Sequence, residues 1–443
     1  MARGPTTSPT TVAKGPQTSS SRYPWMAAVV WGWRREVALI SLAFALLVIV
    51  VSMGWLGTVL VVVGVVALAE YRPNFHQELS KGFATNRELR LMTAALWRCR
   101  IVGFDSRVPK IVRTAPHPLG QRYLALLPVG LHVAALDDRA LELAATLHAR
   151  EVRILPVAQS AGYAQIVVIR KEAFEGGPTR SPLVNGMTFS FWEPIPLGVD
   201  QNGHEMLMQF AEHNLLIGGE PGSGKSVVLS SVVAAAALDP TTTLTLFDGK
   251  QVELSMWKDI ADDFVGPDME HALVVMEQLQ QIMDFRYQVL LSLGRRKFEP
   301  HDLEGLHVVV IDELAFYLRG GKKDTRDRFS EALRDLVSRG RAAGFIVVAA
   351  TQKPSHDVVP TWIRDLFSFR IAMRCTSSDA SDTILGQGWA SRGYSAASID
   401  SGRRGVGYVL AEGGVPELFK ANYLSDQDIR SLAIEAAALR GIR

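Results

Sequence analysis

The chain has 443 residues, 48% hydrophobic and 21% charged, with a formal net charge of +2. That length leaves room for two or three domains of about 150 residues with ample core; the charge balance excludes a histone-like basic protein and the apolar content excludes a wholly disordered one. Two cysteines, Cys99 and Cys375, exclude a disulfide scaffold and a cysteine-rich metal site, and fit a reducing compartment.

The average conceals an uneven distribution. Residues 1–36 hold five basic groups against Glu36, residues 37–70 hold only Glu70, and residues 71–443 hold 42 basic and 43 acidic groups. The positive balance therefore belongs to the N-terminal arm.

Residues 1–24, rich in Thr, Ser, Pro and Gly, read as a disordered tail that is retained, because no short apolar core follows a charged start. Residues 37–69 form an uncharged, mostly aliphatic run of 33, long for one membrane span of about 20 residues. Gly54 near its middle suggests a tight hairpin, so the region 25–70 is expected to hold two short transmembrane helices, about 37–53 and 55–69. Trp25, Trp31 and Trp33 lie where interfacial indoles sit, and basic groups flank both sides (Arg34 and Arg35; Arg72, Lys81, Arg87 and Arg90). Basic flanks on both sides predict an even number of crossings, a multi-pass protein of the cell membrane with its bulk in the cytoplasm. Residues 71–108 read as a helical linker.

From residue 109 the pattern becomes strand, strand, helix, strand, strand, a small α+β module over 109–175 without an evident catalytic set. Residues 176–195, starting Gly176-Gly177-Pro178, read as a joint. Over the domain 186–425, which takes in the end of the joint, apolar runs at 215–217, 244–247, 308–311, 346–349 and 371–373 alternate with helical segments. This predicts an α/β domain with a parallel sheet covered on both faces. Residues 426–443 read as a C-terminal helix.

The most specific signal is Gly219-Glu220-Pro221-Gly222-Ser223-Gly224-Lys225-Ser226, the pattern G-x-x-x-x-G-K-[ST] between a predicted strand and a predicted helix. Such a P-loop curls its backbone N–H groups around a phosphate at a helix N-terminus, Lys225 neutralises β/γ charge, and the Ser226 hydroxyl ligates Mg²⁺. Asp312 and Glu313 end the buried run 307–311. Asp312 is expected to hold Mg²⁺ through water and Glu313 to polarise the attacking water, which favours ATP hydrolysis; two carboxylates could instead cap the next helix. The ten histidines show no metal-ligand spacing.

These residues, together with others in order, resemble the FtsK/SpoIIIE family of hexameric double-stranded DNA translocases. Asp248-Gly249-Lys250-Gln251-Val252-Glu253-Leu254 is similar to its strand-end acidic motif, without the usual Pro after the Asp. Ser338-Arg339-Gly340-Arg341-Ala342-Ala343-Gly344 resembles its Gly-Arg-Ala-Ala-Gly stretch. Ala350-Thr351-Gln352-Lys353-Pro354-Ser355 resembles Ala-Thr-Gln-Arg-Pro-Ser, in which the Gln senses the γ-phosphate, a role that falls to Gln352. Phe369-Arg370-Ile371-Ala372 and Thr383-Ile384-Leu385-Gly386 continue the likeness, which is strong over about 195–425 and extends to the module before it. Asp382 stands where the family has an Arg, so the resemblance leaves Arg370, Arg374 and Arg341 as candidates for an inter-subunit arginine, Arg341 equally as a helix-end residue. The short membrane region, and a chain ending at Arg443 without a winged-helix reader, look more like transfer proteins of actinobacterial plasmids and integrative elements.

The resemblance implies a membrane-anchored, homo-oligomeric, hexameric ring in which ATP and Mg²⁺ drive double-stranded DNA, moving plasmid or integrative-element DNA in conjugative transfer. Arg295-Arg296-Lys297 and Lys322-Lys323 on predicted loops are candidate DNA contacts, with Arg403-Arg404 a further basic pair; each could equally be a solvated patch. A ring repeats each cluster around its lumen, so a near-neutral subunit can line a basic channel. Few aromatics accompany these clusters, which favours a duplex held by its phosphates. A chromosome-segregation motor, a coupling ATPase for protein or single-strand export, and a nucleotide-binding scaffold without turnover remain alternatives.

Overall fold

In a computed structural model of the protein, the described residues are 75–442 apart from 187–188, 301, 303–304 and 356–357, together with 40–41, 44–48, 50–52, 54–59 and 63. The expected tail at 1–24 and much of the expected membrane region lie outside them. The described residues between 40 and 63 are helical, with Ile40, Phe44, Val51, Trp55 and Val63 exposed. Gly54 there takes a φ of +58°, a left-handed value that glycine adopts at little cost. Among the described residues no helix is long and apolar enough to cross a membrane.

The chain divides into two compact units, residues 1–170 and 171–443. In the first, helix α1 (Phe75–Arg98) precedes β1 (Lys110–His117), β2 (Gly120–Leu126), α2 (Val133–Asp137), α3 (Ala140–Thr146), β3 (Glu151–Pro156) and β4 (Tyr163–Ile169). The strands form an antiparallel sheet in the order β1-β2-β4-β3. Met92, Leu96 and Ile101 share one core with Leu136, Leu143, Tyr123, Ile154 and Ile166. Residues 92–101 are thus part of this module and not a linker to it, because their apolar side chains supply the cover for one sheet face.

The second unit is built on a ten-stranded sheet, and its strands follow the apolar runs of the sequence. Its elements are β5 (Ile195–Asp200), β6 (Glu205–Met208), β7 (Leu215–Gly218), α4 (Lys225–Leu238), β8 (Thr243–Phe247), β9 (Asp263–Val265), α5 (Met269–Ser292), β10 (His307–Ile311), α6 (Leu314–Arg319), α7 (Lys323–Arg339), β11 (Phe345–Thr351), α8 (Thr361–Arg364), β12 (Phe369–Met373), α9 (Ser378–Leu385), β13 (Val406–Leu410), β14 (Glu417–Ala421) and α10 (Asp426–Leu439). The strand order is β6-β5-β14-β13-β12-β7-β11-β10-β8-β9.

Strands β12, β7, β11, β10, β8 and β9 are parallel, whereas β13, β14, β5 and β6 continue the sheet antiparallel. The sheet is therefore mixed, where a parallel sheet is expected from sequence. The difference arises because 406–421 forms a hairpin on β12, with Arg370 opposite Leu410, in place of another crossover helix.

Alternate side chains of β10 enter opposite cores: Val308 and Val310 pack with α4 and α10, Val309 and Ile311 with α5, α6 and α7. Both faces are covered, which is why the central strands read as continuous apolar runs. Register places Gly218, Phe247, Ile311 and Thr351 at one edge of the parallel part. That alignment gathers the loops that follow them. Helix α10 is not a separate element: Arg440, just beyond it, donates to the carbonyls of Ala236, Ala237 and Asp239, closing the C-terminal end of α4.

Candidate nucleotide site

The loop 219–224 leaves β7 between its two neighbours. The Gly219 N–H donates to the Thr351 carbonyl at the end of β11 (3.2 Å) and the Glu220 N–H to the Arg374 carbonyl beyond β12 (3.0 Å). Glycine is required at 224. It takes a φ of +109° as the N-cap of α4, and a Cβ there would stand 2.7 Å from the Gly405 Cα. The Gly405 N–H in turn donates to the Ser223 carbonyl (2.9 Å), so the strand entering the β13–β14 hairpin clasps the loop from behind. The first N–H groups of α4 are left facing the loop's concavity, where an anion is favoured.

Lys225 opens α4 and is 4% exposed; its ammonium donates to Asp312 Oδ1 at 2.8 Å and to the Asp312 carbonyl at 3.0 Å. Asp312 is fully buried at the end of β10, and its Oδ2 has no hydrogen-bond partner among the described residues; nor does the buried Ser223 hydroxyl. An orphaned carboxylate oxygen is costly unless something fills it. Among the described residues no three His, Cys, Asp or Glu side chains gather as a metal cluster. The donor set fits a hard cation held jointly with phosphate oxygens, and Asp312 with the Ser226 hydroxyl are the residues that would hold Mg²⁺.

Glu313 begins α6 yet makes no capping hydrogen bond to it. Its carboxylate is turned toward the end of β11. There Oε1 accepts from the Thr351 hydroxyl (2.9 Å), and both oxygens accept from the Gln352 N–H (3.3 and 3.2 Å). The Lys250 ammonium lies 3.9 Å from Oε2. The helix-capping alternative is thereby excluded for Glu313. Asp248 does a structural job: it accepts from the backbone N–H groups of Lys250, Gln251 and Leu254 and so shapes the loop that carries Lys250.

Gln352, Glu220 and Pro221 line a cavity of about 470 Å³ beside the loop, with Lys353, Cys375, Asp379 and Thr383. Burial pushes the Cys375 thiol up to about 12, so it is an inert wall of this cavity. Cys99 is also a free, buried thiol.

The three candidate arginines are each engaged within the chain. Arg374 forms an ion pair with Glu220 of the P-loop. Arg370 donates to the carbonyls of Phe367 (3.0 Å) and Leu385 (3.2 Å), and burial, with Arg364 nearby, lowers its pKa. Arg341 lies 3.9 Å from Glu212 and 3.8 Å from Glu412 and is half exposed. Arg374 alone stands beside the phosphate loop. Asp382 explains its own departure from the family pattern: it accepts from the N–H groups of Gly388 and Ala390 (both 2.8 Å) and closes that turn.

The candidate DNA contacts separate. Arg295 is paired with Asp302 through 2.5 and 2.9 Å contacts, Lys297 is 2.5 Å from Glu212, and Arg296 is exposed. This loop hydrogen-bonds to Ala342 before β11, at the sheet edge away from the P-loop. Lys322 and Lys323 are exposed at the start of α7. Arg403 pairs with Glu172, and Arg404 directly precedes Gly405, so this basic pair flanks the P-loop clasp. Sequence reasoning missed Thr351 and Lys250 as neighbours of Glu313; their place inside matched motifs was the only signal available.

Residues 179–392 match the FtsK/SpoIIIE family. The DNA translocase FtsK of Streptococcus pyogenes serotype M3 is 26% identical over 359 residues, covering 73% of this chain and 42% of that protein. That of Listeria monocytogenes is 27% identical over 313 residues, 64% and 40% of the two chains. The chain thus spans about two fifths of the length of these curated relatives. Among solved structures, the pCW3 conjugation coupling protein TcpA, in monomer form with ATPγS, shares the fold. Its TM-score is 0.51 at 18% identity, covering 80% of this chain and 99% of that one. Residues 179–392 thus match an FtsK/SpoIIIE domain, and the P-loop with its Lys225–Asp312 pair is the nucleotide-site geometry in keeping with that match.

Proposed function

We propose that the protein is a membrane-anchored ATPase that moves double-stranded DNA as a homo-oligomeric ring, in conjugative transfer of plasmid or integrative-element DNA. The observation that carries this reading is the junction of Lys225, Asp312 and Glu313 at the edge of the sheet, inside a family whose named relatives are DNA translocases. The fold neighbour described as a conjugation coupling protein is in keeping with the transfer setting. Support for the anchor is the uncharged run at 37–69 and the exposure of its described apolar residues, which water alone would not favour.

In this reading the N–H groups of 219–225 cradle the phosphates of ATP and Lys225 exchanges its bond to Asp312 for the β/γ-phosphate oxygens. Mg²⁺, when bound, neutralises charge on those oxygens. Glu313 orients a water for in-line attack: the water oxygen bonds to the γ-phosphorus as the bridge to the β-phosphate breaks. Glu313 accepts the water's proton, and ADP and inorganic phosphate leave. Gln352 lines the adjoining cavity and reports the γ-phosphate. Arg296, Lys322 and Lys323, exposed and repeated around a ring, supply the grip on the duplex, and Arg295 and Lys297 join it by exchanging Asp302 and Glu212 for DNA phosphates.

The full chain in detergent should hydrolyse ATP faster with duplex DNA than with single-stranded DNA or polypeptide. Stimulation by polypeptide alone would make it an export motor, and turnover indifferent to every polymer would remove the translocase reading.

A further inference from the structure

Thr351 joins three parts of the nucleotide site. Its carbonyl accepts from Gly219, the first residue of the P-loop (3.2 Å), and its hydroxyl accepts from the Lys353 N–H (3.2 Å). Since that N–H can only donate, the hydroxyl proton is left for Glu313 Oε1 at 2.9 Å. The residue is fully buried, so water cannot substitute for it. A carboxylate on a helix-start residue that makes no cap bond has several rotamers open to it; here the hydroxyl and the Gln352 N–H select one.

The geometry points to Thr351 as a positioning residue that aims Glu313 at the hydrolytic water and ties that aim to the P-loop and to the segment 353–355 beside the cavity. It rests on the hydrolysis reading above. Thr351 touches neither phosphate nor water in this role; it acts through Glu313, and the Lys353–Thr351–Glu313 chain makes the carboxylate responsive to the segment after β11. Valine has the same shape without the donor, and serine keeps the donor without the methyl group.

The test measures ATP turnover and binding of a fluorescent ATP analogue by the full chain. Thr351→Val should lower kcat about tenfold to a hundredfold with KM and analogue affinity within about twofold. Thr351→Ser should retain most of the rate. In a Glu313→Gln background, Thr351→Val should cost nothing further, since the group it positions is gone. Should Thr351→Val not fold, Thr351→Cys, which replaces the hydroxyl with a weak donor, makes the same comparison. An unchanged kcat, a raised KM at constant kcat, or an equal loss in the Glu313→Gln background would overturn the positioning role while leaving hydrolysis standing. A wild-type chain that turns over no faster than Lys225→Ala would overturn hydrolysis itself and this inference with it.

Discussion

Lys225 and Asp312 come from different β-α units and meet in the interior, the ammonium 2.8 Å from Oδ1 and 3.0 Å from the backbone carbonyl. A cation and an anion at 4% and 0% exposure survive there only as a pair. Each group compensates the other's charge, and in the proposed reading this is the contact that phosphate displaces.

Lys225→Ala should therefore do more than remove a phosphate ligand. It leaves Asp312 buried and uncompensated, which costs about 3–5 kcal/mol, whereas Lys225→Met with Asp312→Leu should cost clearly less than the two single changes together. Urea unfolding of the nucleotide-free chain measures this. Equal, additive losses would show that the two groups do not depend on each other.

Gly224→Ala should weaken nucleotide binding at least about tenfold. The left-handed backbone at +109° penalises any Cβ by about 1–2 kcal/mol, and this Cβ would also press on Gly405, 2.7 Å away. Titration with a fluorescent ATP analogue gives the affinity; Gly222→Ala, where no atom lies within 4 Å, should cost less because only its φ of +75° opposes it.

His307 begins β10, stacked on Phe345 and bonded to the Thr245 hydroxyl at 2.9 Å. Burial, with Arg286 nearby, pushes its pKa down to about 3. A depressed folded value means that stability is full above the unfolded value of about 6.5 and is lost as pH falls through that value toward 3. His307→Gln keeps a polar partner for Thr245 and should remove up to about 1.4 kcal/mol per pH unit of that slope. Chemical denaturation at pH 7, 6 and 5 checks it; identical slopes in both proteins would exclude the assignment.

The capping box of α10 offers a second pH signature of the usual carboxylate kind. The Arg180 guanidinium, then the Ser425 hydroxyl and N–H, hold Asp428 down to about 2. Its contribution is full above the unfolded value of about 3.9 and disappears as pH falls toward 2. Asp428→Asn should cost about 1 kcal/mol at pH 7, a cost that is lost as pH falls through about 2. Hydrogen exchange of the first amides of α10 reads this locally, and protection unchanged at pH 7 would contradict it.

The candidate phosphate site is legible in the sequence because its parts are local. Gly219 to Ser226 is one unbroken segment with its strand and helix on either side, and Asp312-Glu313 ends an apolar run. What could not be read is where side chains from distant segments turn. Nothing in the order of residues tells that Glu313 bonds to Thr351 and Gln352 rather than to its own helix, that Arg374 folds back on Glu220, or that Asp382 closes the turn at Gly388. The hairpin 406–421 is not legible as an antiparallel extension because a buried strand reads the same beside a parallel or an antiparallel neighbour. Residues 92–101 read as linker in the sequence, since their apolar face has meaning only beside the sheet it covers.

The most direct test of the central claim is displacement of a triplex-forming strand from duplex DNA by the purified full chain. Steady displacement with ATP and Mg²⁺, absent with a non-hydrolysable analogue and absent for Lys225→Ala, is the predicted result. ATP turnover by the wild type that neither responds to duplex DNA nor displaces the third strand would contradict the account.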